Sequence, residues 1–438
     1  MSLHPGKSDQ TLPDKADVVI IGGGIIGVST ALELAERGIK VVLCEKGIIA
    51  GEQSSRNWGW CRQMGRDPRE IPLARISLDL WGQMNERTNC ETGFRRCGIL
   101  YLCKTQAELA KREHWLKNHA IPQGLSSKIL TSSETGKLTP GSSLPWAGAL
   151  FTKDDGRAEP QIATAAIANA ARSKGARLFT NCAVRGIEQS AGRISAVITE
   201  KGKINCGTVL LAGGAWSRRF CTNAGIELPQ LSVVNSVMRS APLDAHLPHT
   251  IAGDEFAIRK RLDGGYTIAH STISIADIVP DSFRLAGAFL PALKSEFKSL
   301  SFRIGGRFVD EARLARYWHM DETSPFEITR ILDPKPSNHL LERAYNSLVK
   351  RFPVFNDIHI EERWAGIIDV TPDAVPVISA VAAIPGFYIA TGFSGHGFGI
   401  GPGAGKLAAE LITGAPPCVD PHPFRYERLI DGSKFEIY

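Results

Sequence analysis

The 438-residue sequence has no apolar run approaching the ~18–20 residues needed to span a bilayer. That excludes an integral helical membrane protein. The N-terminal stretch MSLHPGKSDQTLPDKAD is polar and has no apolar core, so neither a signal peptide nor a membrane anchor is expected there, and residues 1–15 read as a flexible N-terminus. The nine cysteines (Cys44, Cys61, Cys90, Cys97, Cys103, Cys182, Cys206, Cys221 and Cys418) are odd in number and scattered, with no C-x-x-C. This pattern offers neither a disulfide framework nor a zinc site, and it fits reduced thiols in a cytoplasmic protein. Charge of one sign is nearly lacking too: 51 Lys plus Arg against 45 Asp plus Glu leave +6, spread along the chain. Such a balance suits anionic small substrates and gives no basic stripe for a nucleic acid. What is present, 43% hydrophobic and 22% charged residues, belongs to a globular protein with a sizeable core and rules out disorder or low complexity. At roughly 150 residues per domain, about three domain-sized units are expected.

Asp17-Val-Val-Ile-Ile21 has the pattern of a short buried strand. It runs into Gly22-Gly-Gly24-Ile25-Ile26-Gly27, then a predicted helix from Val28 to Arg37 stopped by Gly38, then a second strand, Ile39–Cys44, ending at Glu45. This βαβ unit carries a dinucleotide-binding spacing in which each part has a physical task. Gly22 makes the tight turn, Gly24 admits a pyrophosphate to the backbone, and Gly27 lets helix and strand approach. Free N–H groups at the helix start attract phosphate. Glu45 can accept hydrogen bonds from ribose hydroxyls and disfavours a 2′-phosphate, so NADP is not expected; the motif does not separate FAD from NAD.

Two later segments favour FAD. Asn181–Ile187 reads as a short strand, and Gly207–Ser217 as a strand ending in small residues. Gly386–Gly405 reads as a strand and a glycine-rich turn, followed by a helix from Lys406 to Thr413. A second glycine turn opening a helix suits a two-part cofactor whose far end needs its own electrostatic support.

With these residues in view, the chain resembles the D-amino-acid oxidase superfamily of FAD oxidoreductases, in its glycine oxidase, sarcosine oxidase and D-amino-acid dehydrogenase branch, and within it the iminodiacetate-oxidase-like members. The resemblance rests on Val19–Gly27, Glu45, Gly51–Ser55, Val209–Ser217, Trp364-Ala-Gly366 with Thr371-Pro-Asp373, and Gly392–Gly397, in the family's order. It implies an α/β fold: a discontinuous Rossmann-like FAD-binding domain (16–100, 151–225 and 362–438) and an α+β substrate domain with an antiparallel sheet (101–150 and 226–361). The sequence agrees independently, since 256–272 alternates like strands around Asp263-Gly264-Gly265 and 284–300 carries apolar residues at helical spacing. Pro334–Asn338 marks a loop.

Carried over position by position, the resemblance implies cofactor-binding roles for Gly22, Gly24, Ile25, Ile26, Gly27, Glu45, Lys46, Ser54, Ser55, Val184, Ala212, Gly213, Trp216, Gly395, His396, Gly397, Phe398 and Gly399. Relatives pass a hydride from the carbon bearing the amine to flavin N5, and the imine hydrolyses; no protein acid or base is required, which fits the missing Ser/His/Asp or metal constellation. Two carboxylate-binding positions depart from the family: Ile368 stands where an arginine is usual and Gly399 where sarcosine oxidases have lysine. A clamp is therefore expected from Arg62, then Arg259 and Tyr266, then Arg307, with Trp58 and Trp60 as an aromatic wall. His396 and Arg62 are the candidates for a catalytic part, His396 through a hydrogen bond or positive charge near the reduced ring. Sarcosine oxidases attach flavin through a cysteine in a region that is apolar here, so noncovalent FAD is expected. Thr267 stands where relatives that use oxygen well carry lysine, which leaves O2 and a quinone or protein acceptor both open. The expected activity is oxidation of the C–N bond of a small amino acid, a secondary amine such as iminodiacetate (giving glycine and glyoxylate) or another N-substituted glycine. The alternatives are a D-amino-acid dehydrogenase and a flavin-bearing subunit of a heteromeric complex. The oligomeric state is open.

Overall fold

The computed structural model describes residues 8–436. Its first sheet has six strands: β1 (Val18–Ile21), β2 (Val41–Cys44), β3 (Arg177–Phe179), β4 (Thr208–Leu211), β5 (Val377–Ala380) and β6 (Phe387–Thr391). They lie in the order β5-β6-β4-β1-β2-β3, all parallel except β5, which runs antiparallel to β6. The continuous apolar run of β1 follows from burial on both faces. Val18 and Ile20 pack among the helices α1 (Ile25–Glu36), α3 (Pro160–Ser173) and α4 (Gly397–Thr413), and Val19 and Ile21 pack beneath the three-stranded sheet of Val184–Ser190, Arg193–Thr199 and Gly202–Asn205. Helix α2 (Ile71–Thr88) lies against α4.

A second, ten-stranded sheet is mostly antiparallel. Phe256–Lys260 and Tyr266–His270 form the hairpin expected around Gly264, whose φ of +85° suits glycine. The helix Asn338–Arg351 covers one face through Leu341, Ala344 and Leu348. On the other face Val237, Ala269 and Trp364 pack with Trp58, and so look toward the first sheet. Ile99–Cys103, Ser127–Thr131 and Gly148–Thr152 complete one end of this sheet. Ile360–Val370 pairs with Leu231–Ser240 from Leu231↔Val370 to Ser240↔Ile360, so a boundary at 362 would cut through a strand.

Several elements differ from the sequence reading. Residues 1–7 of the expected flexible N-terminus lie outside the described residues, and from Ser8 onward the segment is tied down: Asp9 N donates to Leu178 O (2.8 Å) and Lys15 bridges Asn205. Helix α1 starts at Ile25 rather than Val28. The largest difference is α4, which begins at Gly397 and not at Lys406. Its glycines are packing sites, not turn residues. A Cβ at Gly399 would lie 2.8 Å from Trp60 O, at Gly403 2.8 Å from Leu73 O, and at Gly405 2.5 Å from Ser29 Cβ. Close approach of α1, α2 and the Trp60 strand recovers the helix propensity those glycines give up. The apolar residues of 284–300 do form a helix, Ala286–Glu296, but none of its residues is buried; several line the mouth of a large cavity instead.

Candidate active site

The turn between β1 and α1 forms one end of that cavity. Gly22 has φ +112°, and a Cβ there would fall 2.4 Å from Ala212 O. A Cβ on Gly27 would lie 2.0 Å from Gly22 O, so Gly27 lets the helix sit on its own turn. Gly24 is different: a Cβ would meet only Ser54 Oγ, at 3.1 Å. Its bare backbone faces the cavity, and the Ile25 N–H at the helix start donates to Ser54 Oγ (2.8 Å). Glu45 closes the cradle. Gly23 N and Gly47 N each donate to its carboxylate at 2.7 Å, while burial pushes its carboxyl above the usual value. Lys46 bonds Glu52 (2.7 Å) and lies over the Trp216 ring, whose Nε1 donates to the same Glu52 oxygen (3.0 Å). These residues fit the diphosphate and ribose of a dinucleotide: an N–H-lined helix end, a carboxylate for hydroxyls, and no side chain where the phosphates would approach.

From there one cavity of about 1090 Å³ continues past Val184, Ala212 and Gly213 to Gly395–Gly399, and on to Trp58, Trp60 and Arg62. Ligand pockets usually hold about 300–1,000 Å³, so this one has room for a dinucleotide and a second molecule. At its centre the Gly392–Gly397 turn is held by Asp369, whose buried carboxylate accepts from Gly392 N (2.7 Å) and Gln230 Nε2 (2.9 Å). Helix α4 starts there, turning its free N–H groups and positive dipole end inward. Ile368 and Gly399 both line the wall, and the contact of Gly399 with Trp60 O leaves no space for a lysine stem.

The structure brings together Arg62, Trp58, Trp60 and His396 and separates them from other candidates. Trp58 and Trp60 meet edge-on at 5.4 Å, and the Arg62 guanidinium lies 6.0 Å from the Trp60 ring centre and 5.5 Å from that of Tyr101. Arg259 is only 1% exposed and does not reach the cavity, because Glu159 holds both its Nη atoms (2.7 and 3.1 Å) and its Nε donates to Trp58 O (2.6 Å). Tyr266 is fully buried, edge-on against Phe355, on the sheet face that the helix covers. Arg307 sits in a separate small pocket, paired with Asp277 (3.6 Å) and Glu311 (3.3 Å). These three expected clamp residues are thus corrected: alternation put Arg259 and Tyr266 on strands without showing which side faces the cavity, and Arg307 is taken up by acids of its own surroundings. Ser55 also turns away, its hydroxyl donating to Glu52 O (3.2 Å). Gly27 packs against the turn without lining the cavity.

His396 is the N-cap of α4, and its Nδ1 pairs with Glu70 at 3.0 Å. Burial pushes the imidazole below its ordinary value, and the neighbouring Arg66 adds to this. Burial alone would raise the Glu70 carboxyl; His396 and Arg66 outweigh it and hold the group low. Arg66, Tyr101 and Arg112, which sequence reasoning missed, line this same end. Arg66 and Glu70 follow Arg62 in a non-helical segment, where a spacing of four residues marks no common face; Tyr101 comes from the other sheet and Arg112 from the helix Gln106–Trp115, and none of the four had a signal in the sequence.

A cradle for a dinucleotide is thus joined to a cationic, aromatic chamber. The sequence matches the family described as FAD dependent oxidoreductase over residues 17–411. The chain belongs to this family. It is an FAD-dependent amino-acid or amine oxidoreductase, and its fold is that of solved relatives. L-amino acid deaminase from Proteus myxofaciens is 36% identical, with a TM-score of 0.93 over 97% of this chain and 96% of that one. Glycine oxidase of Pseudomonas aeruginosa is 25% identical over 93% of this chain and 97% of its own length. The 4-methylaminobutanoate oxidase (formaldehyde-forming) of Paenarthrobacter nicotinovorans is 26% identical over 96% of this chain, but the match covers 46% of that protein, so this chain spans about half of its length.

Proposed function

We propose that this member of the FAD dependent oxidoreductase family oxidises the C–N bond of a small amino acid held by its carboxylate, giving an imine that water converts to an oxo acid and an amine or ammonia. The observation that carries this reading is the single cavity joining the Gly22–Glu45 cradle to Arg62, Trp58 and Trp60. The likeness to L-amino acid deaminase supports a primary α-amino acid, and an N-substituted glycine such as iminodiacetate is the second substrate of the same class.

Gly22, Gly24, Ile25, Ile26, Glu45, Lys46, Ser54, Val184, Ala212, Gly213 and Trp216 hold the nucleotide part, and Gly395–Gly399 the flavin end, without a covalent bond. Bound FAD supplies the two-electron acceptor for the hydride leaving the carbon that bears the amine. The protein's own work is orientation. Arg62 fixes the carboxylate as a charged fork, and Trp58 and Trp60 exclude water and narrow the approach of the C–H. His396, held by Glu70, presents its ring at the start of α4 without taking the substrate proton.

The test is the visible spectrum of the holoenzyme under anaerobic titration with L- and D-amino acids, glycine, sarcosine and iminodiacetate, followed by air. Bleaching by one class names the substrate, and the rate of recolouring in air separates oxidase from dehydrogenase. Arg62→Ala should weaken substrate binding and leave FAD bound. If no amine bleaches the flavin, the amine-oxidation reading fails and the chain is a flavin-bearing subunit that needs its partner.

A further inference from the structure

The chamber end beyond Trp58 holds more positive charge than one carboxylate can answer. Arg62, Arg66 and Arg112 all line it, and none forms an ion pair among the described residues. Arg62 and Arg112 lie 5.5 and 4.7 Å from the centre of the same Tyr101 ring. The acids nearby are committed elsewhere. Glu70 is paired with His396, Asp155 accepts from Gln63 N (2.9 Å) and Met64 N (3.1 Å), and Asp67, which also reaches the cavity, is bound by Arg69 at 2.7 Å.

Arg66 is the informative member. It is 4% exposed, and its Nε and Nη1 have no hydrogen-bond partner. Burial, with Arg62 adding to it, pushes its guanidinium down to about 9. A buried guanidinium with orphaned N–H groups costs several kcal/mol in an ordinary core. Its place on a ligand cavity supplies the reason for keeping it: an acceptor arrives with the ligand. Backbone geometry keeps Arg62 at the same end. Gly65, at φ +66°, leaves room where a Cβ would come within 3.2 Å of Arg62 Nη1 and 3.1 Å of Tyr101, and Arg62 Nη1 donates to Met64 O (2.6 Å).

We propose that the substrate is an amino acid bearing a second acidic group, with Arg62 holding the α-carboxylate and Arg66, beside Arg112, holding the other acid. This rests on the amino-acid reading above and narrows it: the favoured substrate is a dicarboxylic amino acid, primary or N-carboxymethylated, and Arg66 is the residue that sets the preference. Trp58, Trp60 and Tyr101 wall the short aliphatic span between the two acids.

The experiment uses isosteric pairs on the FAD-loaded enzyme, kept anaerobic: glutamate with glutamine and aspartate with asparagine, each in both configurations, and iminodiacetate with sarcosine. In at least one pair the diacid should reduce the flavin with an apparent Kd about tenfold or more below that of its neutral partner. Arg66→Gln should close that gap, while Arg66→Lys restores part of it. Redox-inert probes give a second readout: succinate should perturb the flavin spectrum at about tenfold lower concentration than butanoate. Equal or tighter binding of the neutral member in every pair overturns the proposal, as does a gap that survives Arg66→Gln. Should Arg66→Gln fail to fold, the wild-type pairs decide alone. Reduction by neutral amino acids only would sink this inference and leave the amino-acid reading standing. No reduction by any amine would sink that reading, and the succinate–butanoate comparison would still test the two-acid chamber.

Discussion

Replacing Glu159 by Ala should destabilise the protein by about 3–5 kcal/mol, the usual cost of breaking a buried ion pair from one side. The magnitude follows from what Glu159 holds. Its carboxylate accepts from Arg259 Nη1 (2.7 Å), Arg259 Nη2 (3.1 Å) and Leu262 N (2.9 Å), with Arg261 at 3.9 Å, and the Glu159 and Arg259 side chains are 8% and 1% exposed. Without it, a fully buried guanidinium keeps only Trp58 O and the Thr267 hydroxyl as partners. Unfolding entropy of about 2.1 cal/mol/K per residue gives about 0.9 kcal/mol/K for a chain of this length, so the Tm should fall by about 3–5 °C. Arg259→Met should cost a similar amount. The double variant, Glu159→Ala with Arg259→Met, should lose clearly less than the two singles together, because no charge is left unpaired. Glu159 is held below the usual carboxylate value, where Arg259 outweighs burial, so this stabilisation is complete above the ordinary carboxylate range and is lost as pH falls through the lowered value. The assay is thermal unfolding of the four proteins of the cycle, with flavin-reduction kinetics alongside. Singles within 1 °C of wild type, or losses that simply add, would refute the reasoning. So would an Arg259→Met enzyme of unchanged Tm with a raised KM, which would return Arg259 to the substrate.

Gly24→Ala should fold normally and bind FAD at least about tenfold more weakly, as measured by flavin fluorescence on titration, because its Cβ meets only Ser54 Oγ; Gly27→Ala, whose Cβ falls 2.0 Å from Gly22 O, should be insoluble or unfolded by circular dichroism. Burial holds the His396 imidazole below its usual value, so any inflection in the rate of flavin reduction that His396→Asn removes should lie below the ordinary imidazole value of about 6.5; such an inflection above it would make the imidazole a titrating base. Acid precipitation should leave yellow flavin in the supernatant. Cys61, beside the chamber, is fully buried and its thiol is pushed well above the ordinary value by burial, so it is no nucleophile, and colour kept in the pellet would contradict this.

The cofactor half of the site was legible in the sequence because its determinants are local. A buried strand, glycines at fixed offsets and an acid after the next strand specify β1, its turn, α1 and Glu45 through backbone sterics and short-range hydrogen bonding, whatever the rest of the chain does. Even there, the glycines of 397–405 misled: a run that resembles a loop is helical because α1, α2 and the Trp60 strand come too close for side chains, a fact stored in tertiary distances. The substrate half was mostly illegible. Arg62 and the two tryptophans could be placed by their position after the cradle, but an arginine reads alike whether it clamps a ligand or a carboxylate of its own protein. Only the approach of Glu159, the residue before α3, to the strand Phe256–Lys260 gives Arg259 to Glu159, and only the meeting of Ile99–Cys103 and the helix Gln106–Trp115 with the Trp60–Arg66 segment sets Tyr101 and Arg112 beside Arg62 and Arg66. The sequence by itself determined that a dinucleotide would be bound, because backbone geometry within about thirty residues suffices for that. Which cations are left free for a substrate was decided by tertiary structure alone, because it depends on which acids arrive from elements far apart in the chain.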